Sequence, residues 1–104
     1  MYKFSTRSSQ KLEGVHPDLV RVMERAIAVT PIDFTVLEGV RTIERQKELF
    51  ESGASKTMRS RHLTGHAVDV APYVGGISWH WPHYYKLAET IKQVAADLNI
   101  AIRS

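Results

Sequence analysis

The sequence predicts an α+β fold in which a small, mostly antiparallel sheet is covered by helices. Segments with apolar residues at helical spacing alternate along the chain with short runs rich in β-branched and aromatic residues. Packing the helices over one small sheet buries the apolar sides of both kinds of element. The chain has 104 residues, which suffices for one hydrophobic core, so residues 1–104 are expected to form a single domain.

Two helices are predicted in the first third of the chain. The first is a short helix at residues 8–12, and the second covers residues 16–30. Pro17 suits the first turn of this second helix, and Pro31 ends it. Its apolar residues fall on one face and are expected to lie in the core: Leu19, Val22, Met23, Ala26 and Ile27.

The rest of the chain alternates between strands and helices. A polar, aperiodic stretch at residues 54–65 is predicted to be a loop. The other predicted elements are a strand at 33–39, a helix at 41–53, a strand at 66–72, a helix at 82–98 and a last strand that starts at residue 100.

The composition limits the kinds of site that the chain can build. It contains no cysteine, which excludes disulfides, thiolate metal sites and a cysteine nucleophile. A metal site would therefore have to use His, Asp, Glu and water, which favours zinc or a similar ion. No stretch is apolar for the roughly 18 residues that a membrane span needs, so no membrane insertion is expected. The start, MYKFSTRSSQ, lacks the apolar run of a secretory signal peptide.

The net charge of +3 and the pI of about 9.4 describe a mildly basic chain. One alternative that they leave is a small nucleic-acid binder, using the cluster of Lys56, Arg59 and Arg61. The other basic residues are scattered, and nucleic-acid binding gives Asp69 no function. We therefore expect no nucleic-acid partner.

The stretch SRHLTGHAVDV, residues 60–70, contains the candidate chemistry. If residues 66–72 form a strand, Asp69 lies in the middle of an apolar segment. Burying an unpaired carboxylate is costly, so Asp69 should have a cation, a metal ion or several hydrogen-bond donors beside it. A metal site shared with His62 and a salt bridge to Arg41 or Arg61 both satisfy this requirement.

Five residues at fixed spacing connect this stretch with a known family. Ser60, His62, Gly65, Ala67 and Asp69 spell S-x-H-x-x-G-x-A-x-D, which resembles the signature of the zinc peptidases that include D-Ala-D-Ala dipeptidases and carboxypeptidases. The hedgehog signalling domain is a relative of these enzymes in fold.

The flanking sequence resembles bacteriophage endolysins of the L-alanyl-D-glutamate endopeptidase type. The resemblance covers about residues 8 to 102 and includes VHPDLVRVMERA, FTVLEGVRTIERQKELFESGASKT, SRHLTGHAVDVAPY and WPHYYKLAE. It implies a hedgehog-like, D-Ala-D-Ala-peptidase-like α+β domain.

The resemblance also implies roles for single residues. His62 and Asp69 match two zinc ligands, whereas His66 falls at a position that the motif leaves open. Ser60 matches a residue expected to hydrogen-bond the substrate or a ligand. Arg41 matches an arginine that faces the zinc cleft and holds a substrate carboxylate or the developing oxyanion, the alternative being a surface salt bridge. Gln46 is expected to brace that loop.

The implied reaction is hydrolysis of the L-Ala–D-Glu bond in the stem peptide of peptidoglycan. Zinc would polarise the scissile carbonyl and lower the pKa of water to about 7, and a nearby carboxylate would accept the proton. Such phage enzymes usually lack a signal peptide and stay in the host cytoplasm until a holin opens the membrane and they reach the cell wall.

This sequence departs from the family at one point. The family's third zinc ligand is a histidine near the C-terminus, but no histidine follows His83, and His80 and His83 lie in a region that does not supply ligands. We therefore expect a domain that lacks the C-terminal strand and the third ligand, and that binds zinc weakly. A non-catalytic cell-wall-binding fragment is the alternative. An open sheet edge would also favour dimerisation or strand exchange.

One group of aromatic residues has no role in this scheme. Trp79, Trp81, Tyr84 and Tyr85 surround the start of the last predicted helix. They are interpreted either as a rim that stacks on sugars or as a cover for the base of that helix.

Overall fold

The computed structural model describes residues 1–102. It contains four α-helices and a two-stranded antiparallel sheet, which confirms the predicted α+β class. None of the described helices has the length and apolarity needed to cross a membrane. In chain order the elements are α1 (Thr6–Lys11), α2 (Pro17–Val29), β1 (Phe34–Glu38), α3 (Ile43–Glu51), a 3-10 helix (Arg61–Thr64), β2 (Asp69–Pro72) and α4 (Trp81–Asp97).

Local capping explains where the first two helices begin. Ser5 caps α1 by accepting a hydrogen bond from the Ser8 backbone N–H, so α1 begins two residues earlier than predicted. His16 caps α2 through its ring, because Nδ1 accepts from the Asp18 N–H at 3.1 Å. Pro17 follows at the first helical position, where the lack of an N–H costs nothing.

The hydrophobic core lies between α2, α4 and one face of the sheet. The apolar face predicted for α2 is confirmed, with Leu19 half-buried and the other four residues buried. Phe34 and Val36 of β1 point into the same core. The buried apolar residues of this core are Leu12, Val15, Val22, Met23, Ala26, Ile27, Phe34, Val36, Leu87, Val94 and Ala95.

A β-bulge ends the regular pairing of the two strands. Val36 lies opposite Val70, but Glu38, and not Leu37, lies opposite Asp69. The additional residue on β1 bends the strand and changes where the next side chain points. The bulge therefore brings the carboxylates of Glu38 and Asp69 to the same end of the sheet.

Two of the predicted strands are partly wrong. The second begins at Asp69 instead of at residue 66, and residues 61–64 of the predicted loop form the 3-10 helix. Residues 100–102 form no strand, and the rest of the strand predicted there lies outside the described residues. Helix α4 ends just before these residues in a tight turn, with Asn99 at a φ of 57° and the Ile100 N–H donating to the Ala95 carbonyl at 2.8 Å.

Candidate metal centre

His62 lies in the 3-10 helix, which is capped at both ends by residues of the motif. The Ser60 hydroxyl accepts a hydrogen bond from the His62 N–H at 3.2 Å, and Gly65 ends the helix in the left-handed conformation at a φ of 76°. A Cβ at Gly65 would lie 2.5 Å from the Gly14 carbonyl oxygen. The motif thus requires glycine at this position for two reasons: the backbone conformation and the close approach of another segment.

The imidazole of His62 is buried and held in one orientation. Its Nδ1 lies 2.8 Å from the Gly39 carbonyl oxygen, which can only accept, so Nδ1 carries the hydrogen and donates it. Nε2 is then left with its lone pair and lies 3.4 Å from Oδ2 of Asp69. A histidine that donates one ring N–H to a backbone carbonyl and directs the other nitrogen at an anionic group is arranged as metal-ligating histidines are.

The distance between these two atoms fits a small cation. Ligand atoms about 2.0 to 2.2 Å from a tetrahedral zinc ion lie roughly 3.4 Å from one another. Glu38 adds a second carboxylate, and ligand atoms of Glu38, His62 and Asp69 all lie within 4.8 Å of one another. The structure therefore brings together three side chains that could act as metal ligands, one more than the sequence predicted.

The surroundings of Glu38 favour its ionised form. Burial raises the pKa of its carboxyl, but the hydrogen bonds and charge of Arg41 lower it more, and His62 and Arg45 also contribute. The net result is a pKa below the ordinary value for glutamate. Glu38 is therefore a carboxylate paired with Arg41 beside His62 and Asp69.

Arg41 is mostly buried and pairs with other residues of this chain. Its side chain is only 12% exposed and forms an ion pair with Glu38. Nη1 also donates to Oε1 of Gln46 at 2.6 Å and lies 3.4 Å from the Ser60 hydroxyl. Since Nε and Nη2 both donate to Glu38, most of the donors that could hold a substrate carboxylate are already used within the chain.

Gln46 connects this arginine with the loop that follows α3. Its side chain is fully buried, its oxygen accepts from Arg41, and its nitrogen donates to the Ser55 hydroxyl at 2.9 Å and to the Thr57 carbonyl. The bracing interaction predicted for Gln46 is therefore present, although it acts through Arg41 as well as on the loop.

Asp69 is placed differently from the prediction. It is the first residue of β2 and its side chain is 57% exposed, so the prediction of a carboxylate buried within an apolar strand is wrong. Its partner is His62, whereas Arg41, one of the predicted salt-bridge partners, binds Glu38. Asp69 and Arg61 instead lie on the wall of a cleft of about 870 Å³ between β2, α2 and α4.

The other histidines near the motif lie apart from these three donors. His66 is exposed and its ring packs on His16, with the ring centroids 5.0 Å apart. His80 and His83 contact one another at the start of α4. The sequence does not single out Glu38, because its proximity to Asp69 depends on a bulge that no local pattern indicates.

Three comparisons with known proteins agree with one another. The family model described as phage L-alanyl-D-glutamate peptidase matches residues 1–104. The L-alanyl-D-glutamate peptidase of Escherichia phage T5 is 33% identical over 107 aligned residues, which cover 98% of this chain and 78% of that protein. The crystal structure of the L-Ala D-Glu endopeptidase ChiX of Serratia marcescens has a TM-score of 0.89 at 44% identity, covering 96% of this chain and 76% of that one.

These matches cover nearly the whole chain and show that the protein is a peptidase with a small α+β fold. The chain belongs to the phage L-alanyl-D-glutamate peptidase family. The resemblance inferred from the motif and its flanks is thereby confirmed.

Proposed function

We propose that this chain hydrolyses the L-Ala–D-Glu bond in the stem peptide of peptidoglycan, with a zinc ion held by His62 and Asp69. Membership of the L-alanyl-D-glutamate peptidase family supports the reaction and the substrate. The observation that carries the metal assignment is the approach of His62 Nε2 to Asp69 Oδ2, at 3.4 Å, beside the Glu38 carboxylate.

Each residue of the centre has a task that follows from its contacts. The Gly39 carbonyl fixes the ring of His62 so that Nε2 presents its lone pair. Asp69, at the edge of the cleft, is the ligand that a substrate would approach. The lowered pKa of Glu38 suits an ionised ligand or counter-charge better than a general acid, and Arg41 holds that carboxylate in place.

A zinc ion held by His62 and Asp69 would supply Lewis-acid polarisation of the scissile carbonyl and would lower the pKa of water to about 7. The protein contributes the orientation of the ligands and a cleft that can receive the stem peptide beside them.

The proposal is tested by zinc titration of the chelator-treated protein, together with mass analysis of peptides released from cell-wall fragments. We expect His62→Ala and Asp69→Asn to weaken zinc binding at least about tenfold and to abolish peptide release, because even outer-shell partners of a metal contribute that much. His66→Ala is the matched control, since His66 is exposed and lies outside the three donors.

Two results would contradict the proposal. One is zinc binding that His66→Ala weakens as much as His62→Ala does. The other is binding of wall peptides without hydrolysis at saturating zinc, which would favour the non-catalytic cell-wall-binding alternative.

A further inference from the structure

Four aromatic side chains form a continuous surface at the start of α4, here called the aromatic platform: Trp79, Trp81, Tyr84 and Tyr85. Tyr84 connects the others, with ring centroids 6.2 Å from Trp79 and 6.1 Å from Trp81, and Trp81 lies 5.9 Å from Tyr85. The two indoles are 71% and 70% exposed and Tyr85 is 65% exposed. Rings this exposed cannot mainly cover the base of α4, and contiguous exposed aromatic surface marks an interaction site.

The aromatic platform continues the wall of the cleft. Tyr84 is half-buried and lines the same cleft as Asp69 and Arg61. Trp79 and Trp81 both contact Tyr84. A polymeric ligand bound next to Asp69 could therefore extend across the aromatic rings and stay on the protein surface. The position therefore suits a second part of the same polymeric substrate.

The surroundings of the rings indicate a ligand with both apolar faces and polar edges. Ser78 forms the side-chain hydrogen bonds before α4. Its hydroxyl lies 2.8 Å from Nδ1 of His83 and accepts from the His80 N–H at 3.3 Å. Within residues 1–102 these hydrogen bonds do not use the indole N–H or phenol O–H groups, which can therefore bind a ligand. His80 and Lys86, which neighbour these residues in the sequence, are also exposed.

We propose that the aromatic platform binds the glycan strand of peptidoglycan, a polymer of β-1,4-linked N-acetylated amino sugars, while the stem peptide lies in the cleft. This inference rests on the proposed function, since the glycan and the stem peptide belong to one molecule. A pyranose with equatorial substituents presents C–H groups on its faces, and their partial positive charge suits the negative face of an aromatic ring. Its hydroxyl and amide groups face outward, where ring N–H and O–H groups and Lys86 can bind them.

The two tryptophans of the chain both belong to the aromatic platform, so tryptophan emission reports on it directly. The probe is a soluble oligomer of β-1,4-linked N-acetylglucosamine that carries no peptide. We expect a saturable change in emission for the unaltered chain. By calorimetry, we expect Trp79→Ala and Trp81→Ala each to weaken binding about threefold to tenfold. Phe50→Ala is the control, because Phe50 is an exposed aromatic residue on α3 that should not affect binding.

A second measurement separates this inference from the proposed function. The double variant Trp79→Ala/Trp81→Ala should hydrolyse a sugar-free stem peptide at the unaltered rate and intact cell walls more slowly. If no form of the protein hydrolyses the free peptide, the proposed function fails, whereas the glycan titration still tests the aromatic platform.

Three outcomes would overturn the inference. The first is the absence of any emission change or heat of binding with the oligomer. The second is equal weakening by Phe50→Ala. The third is tryptophan-dependent binding to anionic lipid vesicles without binding to the oligomer, which would make the aromatic platform a membrane contact.

Discussion

Glu38 and Arg41 together determine the charge at the candidate metal centre. Arg41 is largely buried and its charge is matched by Glu38, while Glu38 in turn lies 3.6 Å from Nδ1 of His62. A buried guanidinium that loses its carboxylate becomes an uncompensated charge, so the two residues depend on one another. Because His62 already donates Nδ1–H to Gly39, Glu38 influences the imidazole through its charge and not through that hydrogen bond.

The lowered pKa of Glu38 predicts a contribution to stability that disappears in acid. In the folded protein the pKa of this carboxyl lies below the ordinary glutamate value of 4.5, so below about pH 5 the unfolded state binds more protons. We expect the difference in unfolding free energy between the unaltered chain and Glu38→Gln to be constant above this pH and to shrink as the pH falls through the lowered pKa. Urea unfolding across this pH range measures it.

The control for this experiment is Glu48→Gln. Glu48 pairs with Arg45 at 3.0 Å, but both side chains are mostly exposed, so solvent screens the pair. A difference between the unaltered chain and Glu38→Gln that does not change with pH would contradict the interpretation.

At the scale of elements, the candidate centre depends on short segments that other segments hold in place. The 3-10 helix carrying His62 is capped by Ser60 and closed by Gly65, and the Gly65 carbonyl accepts from the His16 N–H at 2.8 Å. Helix α3 contributes Gln46, which holds both Arg41 and the loop after the helix. Neither segment has a core of its own, so their positions come from these contacts.

Substituting Gly65 should destabilise the protein through two separate effects. Gly65→Ala places an alanine at a φ of 76° and its Cβ 2.5 Å from the Gly14 carbonyl oxygen. Gly53→Ala is a matched control, because Gly53 has a φ of 81° but nothing within 4 Å of the added Cβ. We expect a cost of about 1 kcal/mol for Gly53→Ala from the conformation alone, and clearly more for Gly65→Ala. Equal losses in thermal or urea unfolding would show that the close approach relaxes without cost.

Removing the polar end of Gln46 should also destabilise the fold. In Gln46→Leu, Arg41 loses an acceptor and the Thr57 carbonyl loses a donor, while the site stays buried. Leaving such groups unsatisfied costs about 1 to 3 kcal/mol, which urea unfolding can measure. Gln93→Leu is the control, since Gln93 contacts Asp97 on the exposed side of α4 and its replacement should change stability by less than about 0.5 kcal/mol.

For the molecule as a whole, the two edges of the sheet differ. The outer side of β1 is covered by α1, where the fully buried Ser8 hydroxyl accepts from the Val36 N–H at 3.1 Å. Among residues 1–102, no strand pairs with the outer side of β2, which faces the cleft. An unpaired edge can join a strand from another molecule, so β2 is the place where self-association is expected.

We therefore expect a concentration-dependent dimer that forms through β2, detectable by light scattering or sedimentation. Ala67→Lys should weaken it, because Ala67 lies at the entry to β2 on the cleft wall and a lysine there obstructs strand pairing. Lys47, exposed on α3, offers the control Lys47→Ala, which should leave the dimer unchanged. A single monomeric species at every concentration would contradict the expectation.

Local patterns in the sequence were enough for the class of fold, most helix positions and the family. The helical spacing of the apolar residues placed α2 and α4 because that periodicity is a property of neighbouring residues. The spacing of Ser60, His62, Gly65 and Asp69 also indicated the family, since a helix cap, a candidate metal ligand, a left-handed turn and the start of a strand follow one another along the chain.

The arrangement of the candidate metal centre was decided only by the tertiary structure, because it joins residues that are distant in the sequence. The bulge in β1 brings Glu38 to Asp69, the Gly39 carbonyl orients His62, and Arg41 is occupied by Glu38 and Gln46 rather than open to the cleft. The exposure of Asp69 likewise follows from where β2 begins. These features depend on strand register and on contacts between segments, and neither of these is encoded in the spacing of neighbouring residues.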